Sequence, residues 1–153
     1  NIILLGDSAG GTLVVALTQR LINNQKKPSK IVLISPLLDA SLKNEEIDVI
    51  DKNDPMLAKT GLLSALKMCS DDTNDVRISP INGQFKFFPK TYLFLAENDI
   101  TFPDQLEFVS KLEHEKIDFI QIIGKGMPHI WPLLPVMKAS KIALNQLITI
   151  INE

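Results

Sequence analysis

The stretch that most restricts the fold is Ile2-Ile3-Leu4-Leu5-Gly6-Asp7-Ser8-Ala9-Gly10-Gly11-Thr12-Leu13-Val14. Its first half is an apolar run of strand length, and its second half opens a helix through two glycines. A strand must therefore turn sharply into a helix. Continuous apolarity, in place of alternation, predicts a parallel strand over Ile2–Gly6 that is buried on both faces. From Ala9 to about Asn23, Leu13, Val14, Ala16, Leu17 and Leu21 recur at helical spacing. That helix is apolar on most sides until Gln19 and Arg20, which predicts a place against a sheet near the centre of the fold.

Downstream, Ile31-Val32-Leu33-Ile34 reads as a second buried strand closed by Pro36, which completes a strand-helix-strand unit and hence a parallel sheet. Thr91-Tyr92-Leu93-Phe94-Leu95-Ala96 is the third strand, followed by a helix from Pro103 to about Lys116. Phe119-Ile120-Gln121-Ile122-Ile123 is the fourth, and a last helix is predicted from about Leu134 to Ile150. Residues 36–90 are longer than a connection needs and read as an insertion that could cover a site. Within it, Asp54-Pro55 predicts a helix start with Asp54 as N-cap.

The 153 residues are of single-domain size, and a formal net charge of −2 gives no electrostatic case for nucleic acid. No apolar run is long enough to span a bilayer. Two histidines and one cysteine offer no cluster of metal-ligand spacing, so neither a metal nor a cofactor is expected. The lone Cys69 favours a reducing compartment, from which a cytoplasmic location is the expectation. Because Asn1 already falls within an apparent strand, the chain reads as part of a longer protein.

The chemistry concentrates on Gly6-Asp7-Ser8-Ala9-Gly10. A serine hydroxyl is a weak nucleophile, and it has to stand clear of the surface beside a base. A strand-to-helix turn does this if Gly6 and Gly10 remove side chains that would collide. The backbone N–H of Ala9 would then face the oxyanion of a tetrahedral intermediate. The same pattern also serves as a plain βα turn with the serine as helix cap. A nucleophile of this kind works with a carboxylate and a histidine, in that chain order, on loops beyond the strand ends. Asp99 follows the third strand and His129 the fourth, while Glu97 is the competing carboxylate. His114 falls on the polar face of its helix and reads as a surface residue. Asp104, three residues after Thr101, reads as part of a capping box.

Gly6-Asp7-Ser8-Ala9-Gly10-Gly11 resembles the elbow of the hormone-sensitive-lipase-like esterases, a branch of the α/β-hydrolase superfamily. The likeness continues through Ile34-Ser35-Pro36-Leu37-Leu38-Asp39, Asp54-Pro55-Met56, Ile78-Ser79-Pro80, Asp99 with Asp104, and Pro128-His129. The resemblance implies a three-layer α/β-hydrolase fold with a mostly parallel sheet. Residues 1–153 would form its C-terminal portion, with 36–90 as a cap-like insertion. It also implies a Ser8, Asp99 and His129 triad acting on a small-molecule ester of short or medium acyl length, with Ala9 as one oxyanion donor. Gly6, Asp7, Gly10 and Gly11 would shape the elbow, and Met56, Leu57, Phe87 and Phe88 are candidates for the acyl-pocket wall. A loop that completes the oxyanion hole would lie upstream, so the fragment alone is expected to be inactive. A non-catalytic scaffold and an amide or peptide hydrolase are the competing readings. A homodimer is compatible with the sequence.

Overall fold

In the computed structural model, which describes residues 2–153, nine regular elements follow in the order β1 (Ile3–Asp7), α1 (Ser8–Asn23), β2 (Lys30–Ile34), α2 (Ile47–Ile50), α3 (Lys59–Cys69), β3 (Lys90–Asn98), α4 (Phe102–His114), β4 (Phe119–Pro128) and α5 (Lys138–Asn152). The four strands form one sheet in the order β1-β2-β3-β4, and every pair is parallel. Parallel neighbours need crossovers, and α1, the 36–90 segment and α4 supply them.

Successive residues of a strand point to opposite faces, and in β2 both faces are covered. Ile31 and Leu33 enter one core with Val14 and Val15 of α1, Leu93 and Leu95 of β3, and Phe108 and Leu112 of α4. Val32 and Ile34 enter the other with Tyr92, Phe94, Trp131 and the α5 residues Ala143, Leu147 and Ile150. Helices on both sides of a sheet make the three layers, and this double coverage is why β2 and β3 read as unbroken apolar runs.

β1 departs from the expectation of full burial. It is an edge strand among the described residues, and Leu5 is exposed. The helix after it turns Gly11, Thr12, Val14, Val15 and Thr18 inward, leaving Leu13 at 69% and Leu17 at 43% exposure. Among the described residues no strand pairs with the outer edge of β1, and α1 packs on β1 and β2 beside that edge.

In the 36–90 segment Leu37, Ala40, Leu42, Ile47 and Leu66 form a small core that is closed by Ile100, just beyond β3. The Asp54 expectation is corrected here. Its Oδ1 accepts the N–H groups of Met56 and Leu57, at 2.8 and 2.9 Å, but no helix follows directly. α3 begins only at Lys59, whose N–H donates to Asp51 Oδ1 at 2.7 Å. The last helix also starts later than predicted. Trp131–Leu133 form a 3₁₀ turn, the backbone is extended at Leu134 and again at Met137, and regular helix begins at Lys138. No helix among the described residues is long and apolar enough to cross a membrane.

Candidate active site

Ser8 is the first residue of α1, directly beyond β1, and its backbone is held at φ 50°. A non-glycine residue in the left-handed region is strained, and it persists only where the surroundings enforce it. Here the enforcement is visible. A Cβ on Gly6 would lie 2.3 Å from the Gly10 carbonyl oxygen, and one on Gly11 would lie 2.6 Å from Pro36 Cβ. Strand and helix can therefore fold back closely only with glycine at 6 and 11. Gly10 differs from the sequence reading: a Cβ there would meet nothing nearer than Asp7 Oδ1 at 3.8 Å, so sterics do not demand glycine at that position. The segment after β2 completes the support, since Leu37 N–H donates to Ser8 O at 3.2 Å and the Thr12 hydroxyl donates to Leu37 O. Ser8 makes no capping bond, and the N-cap position belongs to Asp7, whose side chain makes none either. Ala9 lies in the first turn of α1, where backbone N–H groups have no intrahelical acceptor.

Asp99 and His129 are brought together by sheet register. β3 and β4 pair regularly up to Ala96 with Gly124, then shift so that Asn98 pairs with Pro128. The next residue on each chain is Asp99 and His129. The shift is a bulge in β4 built on Gly126 at φ 65°. It is held by Glu97 Oε2, which accepts Gly126 N–H at 2.8 Å, and by the Asn98 amide, which donates to Gly126 O at 3.2 Å. Glu97 is thereby committed to the bulge and exposed, while Asp99 is fully buried.

His129 Nδ1 lies 2.8 Å from Asp99 Oδ2, with His129 only 4% exposed. A carboxylate only accepts, so Nδ1 carries the proton that faces it, and in the neutral imidazole Nε2 then holds the lone pair. The second oxygen, Asp99 Oδ1, accepts both the Thr101 N–H at 2.9 Å and the Thr101 hydroxyl at 2.7 Å. Beyond His129 the chain turns at Ile130, φ 51°, and the Ile130 N–H donates to Ser35 Oγ at 3.0 Å, at the end of β2. Neighbouring strands are about 4.8 Å apart, so this bond draws the histidine loop back over β3 to the strand beside Ser8. Trp131 locks the return, donating through Nε1 to Leu95 O at 2.9 Å, and its indole fills the space that a side chain at Gly124 would occupy.

All three chemistry-bearing side chains thus lie on the rim formed by the C-terminal strand ends, where parallel α/β sheets hold their ligands. The structure joins Asp99 to His129 directly, whereas no hydrogen bond links Ser8 Oγ to the imidazole among the described residues. Two of the pocket-wall candidates lie elsewhere. Phe88 is buried in the core against Phe85, and Phe87, 64% exposed, lines a groove with Leu13, Leu17 and Arg20 that includes none of the three residues. Met56 is exposed and Leu57 packs on the core of the 36–90 segment. His114 is exposed on α4, as its spacing predicts.

The capping-box reading of Asp104 is corrected. Thr101 does occupy the N-cap position of α4, but its hydroxyl oxygen accepts from Gln105 Nε2 and its N–H donates to Asp99, so it makes no cap bond. Asp104 instead accepts from Asn44 Nδ2 at 3.1 Å. Sequence reasoning missed Ser35, Thr101 and Gln105 as supports of the site. Thr101, two residues beyond an aspartate, and Ser35, at a strand end before a proline, carried local signals of side-chain bonding; Gln105 carried none.

Residues 1–133 match the model of a family described as having the alpha/beta hydrolase fold. The chain belongs to the α/β-hydrolase fold family. Within it, the similarity lies with the hormone-sensitive-lipase-like esterases. The chain is 31% identical, over 76% of its length, to an esterase of Acinetobacter venetianus, of which it covers 40%. It is 28% identical, over 97% of its length, to a carboxylesterase/phospholipase of Mycobacterium tuberculosis, covering 43% of that protein. Among solved structures, it superposes with a TM-score of 0.92 and 32% identity on a Staphylococcus aureus protein classed provisionally as an esterase, covering 53% of it. An esterase of the bacterial hormone-sensitive lipase family superposes at 0.87 with 25% identity. The chain spans about half the length of the relatives it matches.

Proposed function

We propose that the protein hydrolyses carboxylic esters of short or medium acyl length, with Ser8 as nucleophile, His129 as base and Asp99 as the carboxylate that orients the base. The observation that carries this reading is the buried Asp99–His129 pair at 2.8 Å, on the same sheet rim as a serine held at φ 50°.

The roles follow from the proton inventory. His129 Nε2 takes the Ser8 hydroxyl proton as Oγ attacks the ester carbonyl carbon, and the carbonyl electrons move onto oxygen. The Ala9 N–H is one donor to that oxyanion. The intermediate collapses with cleavage of its bond to the alkoxide, which takes the proton from the imidazolium stabilised by Asp99 and leaves as the alcohol, while the acyl group stays on Ser8. Water then repeats the sequence and releases the acid. The 36–90 segment, whose core includes Ile100 beside Asp99, is read as a cap over this rim.

The test uses the full-length protein with a chromogenic acyl ester and a fluorophosphonate probe. Ser8→Ala is expected to abolish both turnover and covalent labelling. Unchanged turnover in that variant would remove the proposal, and wild-type protein that neither turns over ester nor labels would favour a non-catalytic role.

A further inference from the structure

A buried polar chain extends from the acid arm of this site, and the ester chemistry itself makes no use of it. Asp99 Oδ1 accepts the Thr101 hydroxyl at 2.7 Å, and Thr101 Oγ1 in turn accepts from Gln105 Nε2 at 2.6 Å. The same amide nitrogen reaches Pro36 O at 3.4 Å. Asp99, Thr101 and Gln105 are all buried. The directions are fixed by chemistry: a carboxylate and a carbonyl oxygen only accept. The threonine hydrogen therefore points at Asp99, and the nitrogen of the Gln105 amide, not its oxygen, faces both neighbours. Gln105 Oε1 is left buried without a partner. A buried unpaired oxygen is unfavourable, so the two donor bonds on the other side of the amide must outweigh it.

Pro36 is also where the elbow rests. Gly11 packs against it with no room for a Cβ, and the adjoining Leu37 is bonded to both Ser8 and Thr12. One two-residue segment after β2 therefore supports the nucleophile on one side and anchors the end of the polar chain on the other.

We propose that Thr101 and Gln105 are positioning residues that lock the rotation of the Asp99 carboxylate and key it, through Pro36, to the segment carrying the nucleophile elbow. This rests on the triad reading of Ser8, Asp99 and His129. A hydroxyl that accepts from an amide is polarised and donates more strongly, so Gln105 acts on Asp99 through Thr101. Without the hydroxyl, Oδ1 keeps only the Thr101 backbone N–H, and the carboxylate is freer to turn away from Nδ1.

Thr101→Val and Gln105→Met remove the chain while keeping side-chain volume, and Thr101→Ser restores the hydroxyl. In the full-length protein the first two are expected to lower kcat roughly tenfold or more, the scale of one hydrogen bond to a charged group, with KM unchanged. They should also speed exchange of the His129 Nδ1 proton with water, read by NMR, and Thr101→Ser should return both readouts toward wild type. The NMR measurement is repeated on a Ser8→Ala background, where it reports on the chain whether or not Ser8 is the nucleophile. Wild-type kcat and proton exchange in both Thr101→Val and Gln105→Met would overturn the proposal. So would a Thr101→Ser variant that behaves like Thr101→Val. If circular dichroism shows Gln105→Met to be unfolded, Thr101→Val decides alone.

Discussion

Asp104 offers the most quantitative test of how this fold handles a buried charge. It is 1% exposed in the first turn of α4, with Oδ1 bonded to Asn44 and Oδ2 buried without a partner. Burial, chiefly, raises its pKa from the ordinary 3.8 to about 7. The Asn44 bond opposes this, and the charges of Asp39 and Glu107 add to it. In the unfolded chain the group ionises near 3.8, whereas in the folded chain it keeps its proton until about 7. Its stabilising influence is therefore complete below 3.8 and is lost as pH rises through about 7. Above both values the loss reaches about 4 kcal/mol, at 1.36 kcal/mol for each tenfold change. Asp104→Asn removes the charge and still offers Asn44 an acceptor. The helix-terminus attraction that the carboxylate forfeits is about 0.3–1 kcal/mol, so it does not reverse the trend. The stability of Asp104→Asn relative to wild type should rise by about 2.5 kcal/mol between roughly pH 5 and pH 8, read from urea unfolding curves at each pH. A difference that stays flat over that range would refute the reasoning.

The glycines of the elbow should separate sharply. Gly6→Ala and Gly11→Ala, which would place a Cβ 2.3 Å from Gly10 O and 2.6 Å from Pro36 Cβ, are expected to destabilise by about 3 kcal/mol or to prevent folding. Gly10→Ala should stay within about 0.5 kcal/mol of wild type, and thermal melts of the three variants side by side check this. At the acid arm, Asp99→Asn should lower kcat by about 10⁴, by analogy with the protease triad. Glu97→Gln should cost far less, since Glu97 holds the bulge and does not contact the imidazole. Ester turnover of the two variants side by side checks this, and the reverse order would reassign the carboxylate. Asp54→Ala strips the acceptor from the N–H groups of Met56, Leu57 and Ile100, and should lower the unfolding free energy by about 1–3 kcal/mol.

Local chemistry made several of these features readable in advance. Gly6 predicts a close approach because only a missing Cβ allows the chain to fold back there. Val32 and Leu33 announce a strand covered on both faces, since no alternating pattern would leave one side wet. The order Ser8, Asp99, His129 follows from strand ends that sequence periodicity locates to within a few residues. Other features were beyond that reach. Thr101 and Asp104 have the spacing of a capping box, yet Thr101 Oγ1 accepts from the Gln105 amide and the Thr101 N–H donates to Asp99, so both arms of the box are diverted. Asp54 has the dipeptide of a helix start, but its second oxygen was claimed by Ile100 N–H at 2.9 Å, from residues far away in the chain. Leu13 and Leu17 look like core residues, and whether they are depends on what flanks β1.

Periodicity, proline and glycine placement, and the serine elbow are properties of neighbouring residues, so the sequence by itself determined the strand-helix alternation, the parallel sheet and the candidate nucleophile. Register is not a local property. Only the tertiary structure decided that a bulge at Gly126 sets Asp99 beside His129, that Ser35 draws the histidine loop back across β3, and that Gln105 meets both Thr101 and Pro36. Those contacts depend on how strands slide past one another before they lock, which is settled when two apolar faces are covered at once.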